Sequence, residues 1–217
     1  MIKNNSISNW NKLISLIVRL LLIVSVITGL LTSNFEVVFL SVMTIWLTFF
    51  PNILEKRFGV YLPSSLQIVI TLFIFLAQYL GELNNFYELF WWWDIMLHTV
   101  SGFVLGIIGF MFVYLLNENY DKNVTLSPFF IVLFSLCFAI TMGVFWEFFE
   151  FAMDRGFGHN MQKFRELGQD GLVDTMVDLI VDSLGAIIIS VMGYFYIKEK
   201  NDLFFTKLFT SWFNNEA

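Results

Sequence analysis

Six apolar stretches, each close to the length that crosses a bilayer, constrain this chain more than any other feature. They cover about 13–32, 35–50, 64–81, 94–116, 128–152 and 172–197, with short polar turns between them. Crossing the hydrocarbon takes about 20 mostly apolar residues when the segment is helical. A spanning segment must also satisfy its own backbone hydrogen bonds, so a lone apolar run in lipid is a helix. The turns carry breaker chemistry at Ser33-Asn34, Pro51-Asn52, Gly81, Asn117 and Ser127-Pro128. The pattern predicts an all-α polytopic membrane protein, a bundle of about six transmembrane helices forming one domain over 1–217. The second stretch is the shortest and stops at Pro51.

Composition supports lipid as the solvent. The chain is 58% hydrophobic and 14% charged, where soluble domains run about 45–50% and about 25%. So little charge does not cover a soluble surface. The net charge of −6 comes with no basic patch, which excludes nucleic acid as an expected partner and leaves the bilayer itself. Cys137, the single cysteine, makes no intrachain disulfide and reads as a small packing residue. The first stretch is too long for the roughly 7–15-residue core of a signal peptide, and no small-residue cleavage pattern follows it. It reads as a retained helix.

Lys and Arg favour the cytoplasmic side. Lys3, Lys12, Lys56, Arg57, Lys122, Lys198, Lys200 and Lys207 all fall on one side if six helices cross. The opposite side holds the 81–93 loop, which has no Lys or Arg, and the 153–171 loop, where Arg155, Lys163 and Arg165 lie among Asp154, Glu166 and Asp170 as local partners. Both termini are therefore expected in the cytoplasm. Arg19, two turns into the first helix, is expected to snorkel to that interface. Trp91-Trp92-Trp93 fits an interfacial aromatic belt, and the tail 202–213 fits an amphipathic segment along the inner surface.

Three segments place ionisable groups at helical spacing at the same membrane face. Asp94 and His98 are four apart at the start of the fourth stretch. Glu147, Glu150 and Asp154 follow at steps of three and four near the end of the fifth. Asp174, Asp178 and Asp182 recur every four residues at the start of the sixth. Residues three or four apart share a helix face, so each helix presents one polar stripe. Asp182 lies about 12 Å deeper than Asp174 at 1.5 Å per residue, which makes the cluster a funnel toward the midplane. A carboxylate deep in a span costs about 2.5–3.5 kcal/mol on insertion scales, and several together repel.

Three readings answer that cost. The first is bound metal, held by His98, Glu147, Asp174, Asp178 and Asp94, with Glu150 and Asp182 nearby as candidate general bases. Oxygen ligands favour Mg, Mn or Ca, and the imidazole admits Zn or Fe. Asp94, one turn before His98, is the expected orienter of its ring. The second reading is a partly protonated proton relay. The third is structural, with acids such as Asp170 and Asp174 capping helices and others pairing with loop cations. His159 lies in the loop without a partner by spacing. That loop has Gly156, Gly158, Gly168 and Gly171, and reads either as a lid over the acidic mouth or as a plain solvated loop. Ser101-Gly102, Gly106, Gly109, Gly185 and Ala186 suit close helix packing.

The W-E-x-x-E at Trp146, Glu147 and Glu150, the D-x-x-x-H at Asp94 and His98, and the D-x-x-x-D-x-x-x-D-x-x-G ending at Gly185 resemble the YjdF-like integral membrane proteins of bacteria. The resemblance covers roughly 60–197. It implies a multi-helix fold in a bacterial inner membrane and no reaction. No G-x-S-x-G or H-E-x-x-H motif occurs.

The expected function is that of a membrane metalloprotein whose site opens to the extracytoplasmic face. As an enzyme it would act on a lipid-linked or ionic substrate through a divalent ion. The alternatives are divalent-cation or proton-coupled transport, and a structural or assembly role. Apolar inner halves of the last three helices favour a one-sided site over a transport path.

Overall fold

A computed structural model describes residues 5–58, 64–119, 126–158, 160–163 and 171–199. All regular structure among them is helical: α1 (Asn5–Leu31), α2 (Phe35–Leu47), α3 (Phe50–Phe58), α4 (Ser64–Ile74) continuing as a π-helix (Phe75–Leu83), α5 (Phe86–Leu89), α6 (Trp93–Asn119), α7 (Pro128–Phe157) and α8 (Leu172–Glu199). Five segments are long and apolar enough to cross a membrane: Ser8–Leu31, Ser64–Leu83, Trp93–Val113, Pro128–Phe157 and Leu172–Lys198. This is a polytopic helical membrane protein. The 13 residues of α2 reach about 20 Å at 1.5 Å each, less than the roughly 30 Å hydrocarbon core. The chain divides into two compact units, the first running to Trp93 and the second beginning at Asp94.

In the first unit α1 packs against α2 and α4, and α2 against the π-helix. Asn34 starts α2 by accepting a hydrogen bond from the Val37 amide at 3.2 Å, which satisfies one orphan donor of the first turn. The expected single helix over 35–50 breaks at Thr48. There Arg19 donates through Nε to the Thr48 hydroxyl at 3.0 Å and through Nη2 to the Thr48 carbonyl at 3.2 Å. Its guanidinium lies 3.8 Å from the centre of the Phe49 ring. Arg19 thus covers the negative end of α2. Pro51 sits in the first turn of α3, where its missing N–H costs nothing. The tryptophans also differ from one another: Trp91 and Trp92 are exposed, whereas Trp93 is buried edge-on against Phe86 at 4.9 Å.

The second unit holds α6, α7 and α8. Ser127 caps α7 by accepting from the Phe130 amide at 3.2 Å, and Pro128 follows at the first helical position. The helix runs five residues past the apolar stretch and ends at Gly158, whose φ of 70° is the left-handed conformation that terminates helices at low cost to glycine. Glycines then set how closely the helices approach. Gly102 faces the Asp182 backbone and Gly185 faces the backbone of Thr99, while Gly109 abuts Phe138. Ser135 donates to the Gly106 carbonyl at 2.6 Å, joining α7 to α6 below the site. Cys137 is a correction to the packing role expected for it: it is exposed. The buried stripe of α7 runs through Ser135, Ala139, Gly143, Glu147 and Glu150, and Cys137 lies off that face.

Candidate metal centre

The start of α6, the end of α7 and the start of α8 come together, as their polar stripes require. Asp94, His98, Glu147, Glu150, Asp178 and Asp182 are all buried; Asp174 is half-buried, one turn nearer the helix start. The N-terminal ends of α6 and α8 both face this region, and their partial positive charge favours carboxylates there.

His98 is the hub. Its Nδ1 lies 3.2 Å from Asp182 Oδ2. Its Nε2 lies 3.7 Å from Asp94 Oδ1 and 3.7 Å from Asp178 Oδ2. One donor atom each from Asp94, His98 and Asp178 fall within 4.8 Å of one another. That donor set, two carboxylates and an imidazole nitrogen, fits a single divalent ion with room for further ligands. The second oxygen of Asp182 accepts from the Ser101 hydroxyl, whose single proton is shared with the His98 carbonyl, 2.8 Å from the same oxygen. Gly143 of α7 lies against the Asp182 carboxylate, where a β-carbon would stand 3.0 Å from Oδ2.

The ring is therefore oriented from the α8 side. In the tautomer that carries its proton on Nδ1 and donates to Asp182, the Nε2 lone pair would face Asp94 and Asp178, the arrangement by which a carboxylate orients a metal-ligating histidine. Asp94 lies beside Nε2, and Asp182 beside Nδ1. The spacing of four residues was correct for contact with His98 but did not reveal which nitrogen it meets.

Glu147 and Glu150 share the inner face of α7. Neither oxygen of Glu147 completes a hydrogen bond, although the Thr175 hydroxyl lies alongside. Glu150 Oε1 accepts from the Trp146 indole at 2.8 Å, and its Oε2 is buried without a hydrogen bond. Glu147 stands outside the three mutually close donors.

A clasp covers the same end of the unit. Asp154 accepts from the backbone amides of Met161 at 2.6 Å and Gln162 at 2.9 Å. Buried Gln162 then donates to the Thr175 hydroxyl of α8 at 2.9 Å and fills the space beside Gly171. Asp154 thus holds the turn after α7 rather than joining the buried cluster. Gln162 and Thr175 carry no periodic signal and were not singled out from sequence; Ser101, three residues after His98, had the right spacing but read only as a packing residue. His159, Arg165, Glu166 and Asp170 lie outside the described residues.

Residues 13–199 match the family described as "Predicted membrane protein (DUF2238)", and the chain belongs to that family. A Thermotoga maritima protein described as "Uncharacterized protein" is 30% identical over 160 residues, which is 72% of this chain and 74% of that protein. No solved structure matches the chain.

Proposed function

We propose that this chain is a membrane metalloprotein whose divalent ion is held by Asp94, His98 and Asp178. The observation that carries the reading is the convergence of those three donors from two helices, with Asp182 on the far nitrogen of the same imidazole. A helix-capping role does not call for a buried histidine with acids beside both ring nitrogens. Asp182, with both oxygens engaged by His98 and Ser101, fits a positioning role better than that of a general base. The half-buried Asp174 fits an outer ligand or entry group. The family resemblance carried by the same acids extends this reading to the YjdF-like proteins.

The ion would act as a Lewis acid toward a phosphate or carbonyl, or lower the pKa of a bound water. The substrate class is lipid-embedded or lipid-linked, since the site lies within one helical turn or a few turns of the ends of three candidate spans. Beneath it the buried side chains are mostly apolar, Ile107, Phe110, Ala139, Ala186 and Ile189, with the small hydroxyls of Ser135 and Ser190 among them. That mostly apolar floor supports an enzyme or one-sided binding site ahead of a transport path, which needs polar groups through the full thickness. The positive-inside distribution of Lys and Arg supports an extracytoplasmic opening and cytoplasmic termini.

The test is metal content by mass spectrometry on detergent-purified protein. Wild type is expected to hold divalent metal in stoichiometric amount, and His98→Ala and Asp178→Asn to lose it. Wild type without metal after loading with Mg, Mn, Ca and Zn in turn overturns the reading.

A further inference from the structure

The first unit carries a cation that no acid answers among the described residues. Arg19 lies within the Ser8–Leu31 span, where an ionisable group is costly and marks a functional position by default. It makes no ion pair there. Both its hydrogen bonds go to Thr48, through Nε and Nη2, and its face rests on the Phe49 ring. Those bonds use one edge of the guanidinium. Of its five N–H donors, the two on Nη1 and one on Nη2 are left over, and they form a planar fork that matches two oxygens of a phosphate. Arg19 is half-buried rather than enclosed.

The hairpin of α1 and α2 shows which end of the unit is involved. Arg19 stands 12 residues before the end of α1, and Thr48 follows the start of α2 by 13. The two therefore meet at equal distance from the turn that joins these helices. The opposite end carries Lys12, Lys56 and Arg57, all exposed. Lys12 precedes Arg19 by seven residues, on the same face of α1 and about 10 Å along it. Helical side chains lean toward the N-terminus of their helix, which in α1 is the Lys12 end. Thr48 keeps right-handed helical dihedrals, φ −64° and ψ −14°, so α3 carries the chain onward from α2, and Lys56 and Arg57 form its last turn. On the way Phe49, Phe50 and Ile53 are exposed. Lys56 and Arg57 follow Ile53 at steps of three and four, on its face of α3. An apolar surface that ends in cations suits an anionic amphiphile, whereas free phosphate would leave the apolar part unused.

We infer that the first unit binds an acidic phospholipid, with the headgroup phosphate on the free edge of Arg19 and the acyl chains along Phe49, Phe50 and Ile53. Lys12, Lys56 and Arg57 supply the preference for acidic over zwitterionic lipid, since each cation near a bilayer surface adds attraction for anionic headgroups. Capping of α2 and lipid binding are compatible, because they use different edges of one guanidinium. The lipid site is independent of the metal reading, which concerns the second unit.

The experiment adds phosphatidylglycerol, phosphatidylcholine or inorganic phosphate to delipidated wild type in detergent and reads bound ligand per chain by native mass spectrometry. Expected is one phosphatidylglycerol per chain, held about tenfold or more tightly than phosphatidylcholine. Arg19→Gln is expected to weaken phosphatidylglycerol by about tenfold or more, the effect of losing a charge-assisted contact. Arg19→Lys keeps the charge without the fork and should fall between the two. Equal binding of both lipids to wild type overturns the acidic-lipid assignment, and undiminished phosphatidylglycerol binding by Arg19→Gln overturns the site. Displacement of the lipid by inorganic phosphate would make this a free-anion site and overturn lipid as its ligand. Arg19→Gln also loses the Thr48 bonds; if it does not fold, Lys56→Gln/Arg57→Gln, at two exposed positions, is read instead, and unchanged lipid selectivity there overturns the inference.

Discussion

His98 Nδ1 and Asp182 Oδ2 stand 3.2 Å apart across the α6–α8 contact, and Asp182 is held in turn by the Ser101 hydroxyl. In the metal reading proposed above, this pair leaves Nε2 as the imidazole nitrogen open to a cation. Asp182→Asn keeps an acceptor for Nδ1–H but removes its charge, so the ring keeps its place and loses basicity. Metal affinity is expected to fall about 10–100-fold, the usual effect of losing such a partner, where His98→Ala abolishes binding. Titration against a fluorescent chelator measures both. Equal, complete loss in the two variants would make Asp182 a direct ligand.

Helical periodicity made most of these acids legible in the sequence: steps of three and four put Asp94, Glu147, Glu150, Asp178 and Asp182 on buried faces, whereas Asp154, on the same register, turns to the segment after α7. Orientation within a face was not legible. Whether Asp182 reaches Nδ1 depends on how α8 approaches α6, where Gly102 and Gly185 meet opposing backbone. The break at Thr48 was hidden for a similar reason. The apolar run continues through Phe49 and Phe50, and only the tertiary contact with Arg19 shows where the helix stops. The clasp at Gln162 depends on a bond spanning 13 residues, which no periodic pattern reports.

Asp154 holds the segment after α7 through two backbone amides. Hydrogen bonds to a charged acceptor contribute about 1.5–3 kcal/mol each. Asp154→Ala is therefore expected to speed amide exchange at Met161 and Gln162 by about tenfold or more, since local opening sets exchange, with little change in the α6 core. Hydrogen exchange read by mass spectrometry tests this. Unchanged exchange at those amides would show that Gln162 and Thr175 suffice to hold the turn.

Gly102 allows α6 to touch the Asp182 backbone directly, and a β-carbon there collides with main-chain atoms rather than with a flexible side-chain tip. Gly102→Ala is expected to destabilise by about 1–3 kcal/mol, the range for overpacking, and to weaken metal binding by shifting Asp182 away from His98. Gly156, in the last turn of α7, has nothing within 4 Å of a β-carbon. Gly156→Ala is expected to be neutral or stabilising by about 0.4–1 kcal/mol. Thermal unfolding in detergent compares them, and equal midpoints would mean that α6 and α8 yield where they meet.

Topology ties the site to a side of the membrane. Five described segments have the length to cross, and α2 adds a mostly apolar helix of only 13 residues. If the sixth crossing is made around α2, both termini share a side, and Lys56, Arg57 and the C-terminal lysines all fall with them, as the charge rule favours. The N-terminus of α6 then faces outward, carrying Asp94 and His98 with it. If only the five long segments cross and the N-terminus stays inside, the C-terminus lies outside and the start of α6 faces the cytoplasm. Green fluorescent protein and alkaline phosphatase fused in turn to each end separate the cases. Fluorescence without phosphatase activity at both ends is expected, which places the metal centre at the extracytoplasmic face. Phosphatase activity at the C-terminus alone would turn the centre to the cytoplasm and require its substrate to reach it from that side.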